Sequence, residues 1–165
     1  MTDIYYADDL EPGQLIPLGS YTITEEEIVT YARQWDPVFI HTDPTAAATT
    51  PLGGVIASGL HTLAIYQRLA VPAFWSRFTG GVGRSFEIQF RRPVRPDTTV
   101  TGHLTVQEMT PRPERGDAKV TITAELADTS SDTVLELTNH SVLPLRSAAA
   151  GSACLLPAHR EERCG

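Results

Sequence analysis

The stretch that decides the architecture runs from Ser58 to Ala70, "SGLHTLAIYQRLA". It follows "TTPLGGVIA", residues 49–57, a loop-forming run in which a proline and paired glycines interrupt any period. Ser58 reads as the N-cap, because its hydroxyl can accept one of the free N–H groups of a first turn, and Gly59 falls in that turn. Leu60, Leu63, Ala64, Tyr66, Gln67, Leu69 and Ala70 then continue with apolar residues on more than one face, the pattern of a helix surrounded on most sides. Pro72 is expected to break it, and Phe74, Trp75 and Phe78 supply bulk at a loop or a subunit contact. Such a helix needs a covering layer, and the rest of the chain has to provide it.

The period changes after this helix. "SFEIQFRRPV" alternates Phe86, Ile88 and Phe90 with Glu87, Gln89 and Arg91, and "TVTGHLTVQEM" puts Val100, Leu104 and Val106 in step. "AKVTITAEL" does the same with Val120, Ile122, Ala124 and Leu126, and a last strand, "TVLELTNHSVLPL", follows the turn "ADTSSD". A two-residue period gives strands with one wet and one dry face. "TPRPERGD" reads as a hairpin loop, and consecutive hairpins predict one antiparallel sheet with strands in chain order. Ahead of the helix come a strand near Gln14 to Tyr21 and a helix from Glu25 to Trp35, opened by the capping-box pair Thr24 and Glu27. Ile28, Val29, Tyr31, Ala32 and Trp35 fall on one face of that helix, Pro37 stops it, and Asp43-Pro44 opens a short helix to Ala48. The class is α+β: an antiparallel sheet wrapped round a long central helix. One domain over residues 1–145 is expected, followed by a poorly ordered tail over residues 146–165.

Composition narrows the function classes. A net charge of -7 argues against a nucleic-acid surface, which needs clustered Lys and Arg. No window offers the roughly 18 apolar residues of a membrane span, and the acidic start "MTDIYYADDLEPG" is unlike a secretory signal. Cys154 and Cys164 both lie in the tail, so a disulfide framework is not expected and a reducing, cytosolic location fits.

The candidate chemistry sits on "QWDPVFIHTDP", residues 34–44, a proline-stiffened bend that carries Asp36, His41 and Asp43. A bend needs neither the aspartate nor the histidine, and together they read as an acid–base pair sharing a water. "DPVFIHTDP", followed by "ASGLHT" and later by "RRPVRPDTTV", resembles the MaoC-like hydratase group, the (R)-specific enoyl-CoA hydratases, over about Gly13 to Leu145. The match lies in Asp36, His41 after four intervening residues, Asp43, and the pair Ser58-Gly59 at the start of the central helix. Val38, Phe39 and Gln67 stand near places where many members carry polar or small hydroxyl residues. The resemblance implies the hotdog fold, an acyl-thioester substrate, a homodimer whose two sheets join side by side, and no cofactor beyond the carrier of the acyl group, coenzyme A or an acyl carrier protein.

Adding water across a double bond next to a thioester carbonyl requires a proton taken from water at the β carbon and a proton given to the α carbon. Charge on the carbonyl oxygen must also be held. Asp36 and His41 supply the first two, with the order of proton transfer left open. The start of the central helix supplies the third, through free amide hydrogens and the helix dipole. Gly59 is the candidate donor, since it lacks a Cβ to obstruct a carbonyl, and one such donor is worth about 3 kcal/mol of barrier. Ser58 lines the site besides capping the helix.

Plainer readings compete. Asp36 alone would pass for a surface residue at a helix end, Asp43 reads as an N-cap, and His61 as a core or interface histidine. His103 and His140, on strands, read as solvent-facing. A metal site from Asp36, His41 and His61 lacks paired spacing such as HxxxH, and no metal is expected. Arg84, Arg91, Arg92 and Arg95 cluster round one strand and its exit; they are either surface charge or, for Arg84, Arg92 and Arg95, a landing place for the phosphates of the thioester carrier. Three functions remain: a hydro-lyase, a thioesterase on the same fold, and an acyl-thioester-binding module without turnover. The resemblance implies that a thioesterase of this fold would carry its acidic residue on or near the central helix, and the helix from Ser58 to Ala70 has no Asp or Glu, which favours the lyase.

Overall fold

Alternation in the second half of the chain produces long antiparallel strands, and the apolar helix lies across their dry face. A computed structural model describes residues 4–146. The elements are β1 (Leu15–Thr22), α1 (Glu25–Trp35), α2 (Phe39–Thr42), α3 (Pro44–Ala48), α4 (Gly59–Ala73), β2 (Val82–Phe90), β3 (Thr99–Arg112), β4 (Asp117–Ala127) and β5 (Thr133–Pro144). Short 3-10 turns occur at Ala7–Asp9, Trp75–Arg77 and Pro113–Arg115. Ile65, Tyr66, Leu69 and Ala70 of α4 enter a core shared with Val100, Leu104, Ile122, Leu126 and Leu137, all from the dry face of the sheet. This is the hotdog arrangement that the resemblance implies.

Local chemistry sets the element ends. Thr24 accepts the Glu27 N–H at 3.2 Å while Glu27 accepts the Thr24 N–H at 2.9 Å, closing the capping box at the start of α1. Asp43 accepts the Ala46 N–H at 2.9 Å ahead of Pro44, so α3 begins as the sequence reads. On α1, Ile28 and Ala32 are buried, whereas Trp35 is 63% exposed: the predicted face reaches the core only at its centre.

Four expectations need correcting. The strands do not follow chain order, because the sheet runs β1-β3-β4-β5-β2 and β2 pairs with β5. The linker from Arg91 to Thr98 holds Pro93 and Pro96 and crosses the start of α4, where Val94 is buried and its carbonyl accepts the Ala57 N–H at 2.8 Å. A chain committed to that crossing cannot turn back as a hairpin. Helix α4 does not stop at Pro72 but continues to Ala73, since the missing N–H falls in the last turn and Phe74 still donates to the Ala70 carbonyl at 2.9 Å. The predicted hairpin loop is shorter than its sequence: β3 runs to Arg112, and Gly116 closes the turn with φ 68°. The chain is also held at Arg146, whose N–H donates to Asp8 at 2.7 Å and whose guanidinium pairs with Asp9. The rest of the expected tail, with Cys154 and Cys164, lies outside the described residues.

No helix among the described residues is long and apolar enough to cross a membrane. His61 takes the core role: it is buried on α4 with its ring stacked on Tyr31 at 4.2 Å and 8°. Burial pushes its pKa below the ordinary imidazole value, with Glu27 pulling weakly upward. The unfolded chain therefore binds a proton at mildly acidic pH that the folded chain refuses, and stability falls as pH drops through that range. In urea unfolding, the midpoint should decline between about pH 7 and pH 5, and His61→Phe, which keeps the stack on Tyr31, should flatten the decline. Identical slopes for the two proteins would place the proton elsewhere.

Candidate active site

The residues between α1 and α3 fold so that an aspartate and a histidine separated from it by four residues come close. Asp36 caps α1 with φ -155° and ψ 69°, outside the helical region, and its N–H still reaches the Ala32 carbonyl. Pro37 prevents another turn, and Asp36's own carbonyl accepts the Val38 N–H at 2.8 Å, reversing the chain. The next residues form the one-turn helix α2, with the His41 N–H on the Val38 carbonyl at 2.9 Å and the Thr42 hydroxyl on the same oxygen at 3.2 Å. Sequence reading treats this segment as a bend. The helical turn brings His41 inward, 8% exposed, while Val38 and Phe39 stay at the surface.

The imidazole is fixed from behind. Its Nδ1 lies 2.7 Å from the Ile56 carbonyl oxygen, which can only accept, so Nδ1 carries the hydrogen and the neutral ring keeps its lone pair on Nε2. Nε2 faces the Asp36 carboxylate at 3.9 Å. That separation is too long for a direct hydrogen bond and suits one bridging water. Ile56 is itself held, its N–H donating to the Ile40 carbonyl at 3.2 Å, and the neighbouring Ala57 is tied to Val94. The 49–58 loop therefore acts as the backing of the histidine, a role sequence reading misses because a backbone carbonyl leaves no residue-type signal.

The start of α4 borders the same space. His41, Gly59, Thr62, Phe90, Arg92 and Val94 are among the lining of a recess of about 280 Å³, and Asp36 stands beside it through its approach to His41. Ser58 is fully buried, and its Oγ accepts the Leu60 N–H at 3.1 Å, so its capping role is direct. Among the described residues, no acceptor takes the Gly59 N–H. A Cβ on Gly59 would lie 2.9 Å from the ring of Phe90, so any larger residue here would push that exposed ring aside. Phe90, 52% exposed on β2, is the second residue that sequence reading misses; its alternation marks it only as strand.

The arginines do not gather. Arg92 lines the recess but is paired with Asp132, and Arg91 is paired with Glu136 at 2.6 Å. Arg95 is exposed on the linker, and Arg84 lies near the far end of β2 in a different depression. Asp43 serves as the N-cap of α3. His103 and His140 are half-buried on strands, and the Nδ1 of His140 is 3.1 Å from the Thr121 hydroxyl. Among the described residues, no group of His, Cys, Asp and Glu side chains is placed to hold a metal.

Known proteins share this fold. The family described as "MaoC like domain" matches residues 11–127. The MaoC-like dehydratase from Rhodospirillum rubrum is similar in structure with a TM-score of 0.80 and 29% identity, covering 86% of this chain and 98% of that one. The R-hydratase PhaJ1 from Pseudomonas aeruginosa shares the fold with a TM-score of 0.72 at 21% identity, covering 86% of each chain. Among sequence relatives, YdeM of Bacillus subtilis (strain 168) is 27% identical over 106 residues, 64% of this chain and 75% of the relative.

Proposed function

The chain belongs to the MaoC-like domain family, and from that premise we propose that it is a hydro-lyase interconverting trans-2-enoyl and (R)-3-hydroxyacyl thioesters. The observation that carries the reading is the disposition of His41, with Nδ1 held by a carbonyl and Nε2 turned toward Asp36 at 3.9 Å. Both facing atoms are acceptors when His41 is neutral and Asp36 ionised. A water between them donates one hydrogen to each, which turns its own lone pairs outward toward a substrate carbon.

In the hydration direction, the water oxygen bonds to the β carbon while one of its protons passes to the Asp36–His41 pair. The π electrons move toward the thioester carbonyl, and the pair returns a proton to the α carbon. The Gly59 N–H at the tip of α4 holds the charge that builds on the carbonyl oxygen, aided by the helix dipole. Ser58 keeps that tip in shape by capping it. The chemistry asks for no cofactor beyond the acyl carrier, coenzyme A or a carrier protein, and a cytosolic location goes with it.

A homodimer belongs to the same reading. Strand β2 has β5 on one side and no strand on the other among the described residues. Val82, Phe86 and Phe90 are 55%, 45% and 52% exposed along it, close to Leu60 of α4 at 52%. An unpaired edge beside an apolar flank calls for a second copy. A thioesterase is disfavoured because α4, from Gly59 to Ala73, offers no carboxylate to attack a carbonyl carbon.

Two tests follow. Asp36→Asn and His41→Ala should each slow hydration of crotonyl-CoA by about 10²- to 10⁴-fold while the circular dichroism spectrum is unchanged; near-native turnover in either variant defeats the assignment. Gly59→Ala should leave the unfolding midpoint close to native, because the half-exposed Phe90 ring can turn aside, yet lower kcat/KM by about tenfold or more. Adding Phe90→Ala to that variant should recover most of the loss. No loss in the single variant would remove Gly59 from the site.

A further inference from the structure

The outer face of the sheet, turned away from α4, carries a recess of about 450 Å³ that shares no residue with the recess of His41. Four of the chain's 13 Lys and Arg residues line it: Arg84 of β2, Arg112 at the end of β3, Arg115 of the turn that follows, and Lys119 of β4. His140 of β5 stands among them. On a protein of net charge -7 this is a concentrated positive island. Two carboxylates share the lining. Asp117 takes the Arg112 guanidinium at 2.7 Å, and Glu108 accepts the Thr110 hydroxyl at 2.9 Å. Arg84, Arg115 and Lys119 have no ion-pair partner among the described residues.

The backbone is bent to bring Arg84 there. Gly83 is paired with Ser141 and Ser85 with His140, so Arg84 is an extra residue in β2 that opposes nothing on β5. Phe86 faces the inner side of the sheet with its buried partner Asn139, and unbroken alternation would turn Arg84 inward too. The bulge reverses this: glycine takes the inner position, and Arg84 joins His140 and Lys119 outside. A bulge costs a ladder position and is retained where it aims a side chain.

Spacing indicates the size of the ligand. Arg112 is taken by Asp117, and of the remaining strand cations Arg84 is on β2 and Lys119 on β4, with β5 between them, so their strands lie roughly 10 Å apart. A single phosphate is small for two cations so placed, whereas two linked phosphates can meet one each. We propose that this recess is a binding site for the diphosphate of a nucleotide, held by Arg84, Arg115 and Lys119. The diphosphate is that of a free nucleotide or that within coenzyme A. The proposal does not depend on the hydro-lyase reading, since no residue in it belongs to the acid–base site.

The test is calorimetric titration of the full chain with magnesium-free ADP at low salt, with circular dichroism to verify folding. Binding with a Kd below about 1 mM is expected, with pyrophosphate competing and adenosine not. Arg84→Ser combined with Lys119→Gln should weaken ADP binding at least about tenfold and Arg84→Ser alone should weaken it measurably, while Arg33→Ser, a single charge removal on α1 to match Arg84→Ser, should leave it unchanged. Displacement of ADP by coenzyme A would identify the acyl carrier as the source of the diphosphate, and its failure to displace ADP would identify free nucleotide. No binding of ADP, equal loss in the Arg33 variant, or tighter binding of polyglutamate than of ADP would each overturn the proposal, the last in favour of an acidic protein partner.

Discussion

A helix with apolar residues on most of its faces has to be enclosed, and that demand, made by α4, organises the molecule. The sheet meets it by curving its dry face over Ile65, Tyr66, Leu69 and Ala70. Burial of four such side chains is worth several kcal/mol at about 25 cal/mol per Å². One face of α4 is buried along its length, and its first turn is only partly covered, with Gly59 half-buried and Leu60 exposed. That start carries the Ser58 cap, the free Gly59 amide and the helix dipole, so the element that stabilises the fold also supplies the polar end of the candidate site. The two functions are separated along the helix: Tyr66 and Leu69 lie in the core, and the first turn faces the recess.

The corner that holds Asp36 and His41 is built from the connections that this enclosure leaves over. Three segments distant in sequence meet at the start of α4: the α1–α2 bend with Asp36 and His41, the 49–58 loop with Ile56, and the β2–β3 linker with Val94. Backbone hydrogen bonds join them, Ile56 to Ile40 and Ala57 to Val94. His41 is thereby oriented by a carbonyl rather than by a third side chain. A carbonyl fixes the tautomer without adding a charge to the pair, and among the described residues Asp36 is the carboxylate that faces Nε2.

What the sequence disclosed follows the range of the forces involved. Capping boxes, proline stops and alternation act within a few residues, and α1, α3, the body of α4 and the strands of the sheet stand close to where these signals put them. The motif pairing of Asp36 and His41 was also legible, because the turn that brings them together spans only the residues between them. Strand order was not, since β2 and β3 are separated by a linker whose route across α4 is decided by the burial of Val94, a long-range contact. The Ile56 carbonyl and the ring of Phe90 were invisible for the same reason: one has no side-chain identity, and the other reaches Gly59 from a strand 31 positions later. Arginines adjacent in sequence separated because a strand of nine residues places its two ends far apart.

Strand β2 is where these levels come together. Its inner face is apolar and largely uncovered, its outer face contributes Arg84 to a basic recess, and the bulge at Arg84 lets the one strand do both. At its other end Phe90 lies against Gly59, close enough that even a methyl group there would collide with the ring. An element added at the outer edge of β2 would restrict the exposed ring of Phe90, and that ring lies over the first turn of α4 at Gly59. Assembly at that edge and access to the site are therefore one mechanical problem. A chain that left the edge bare would leave the Gly59 amide behind an exposed ring.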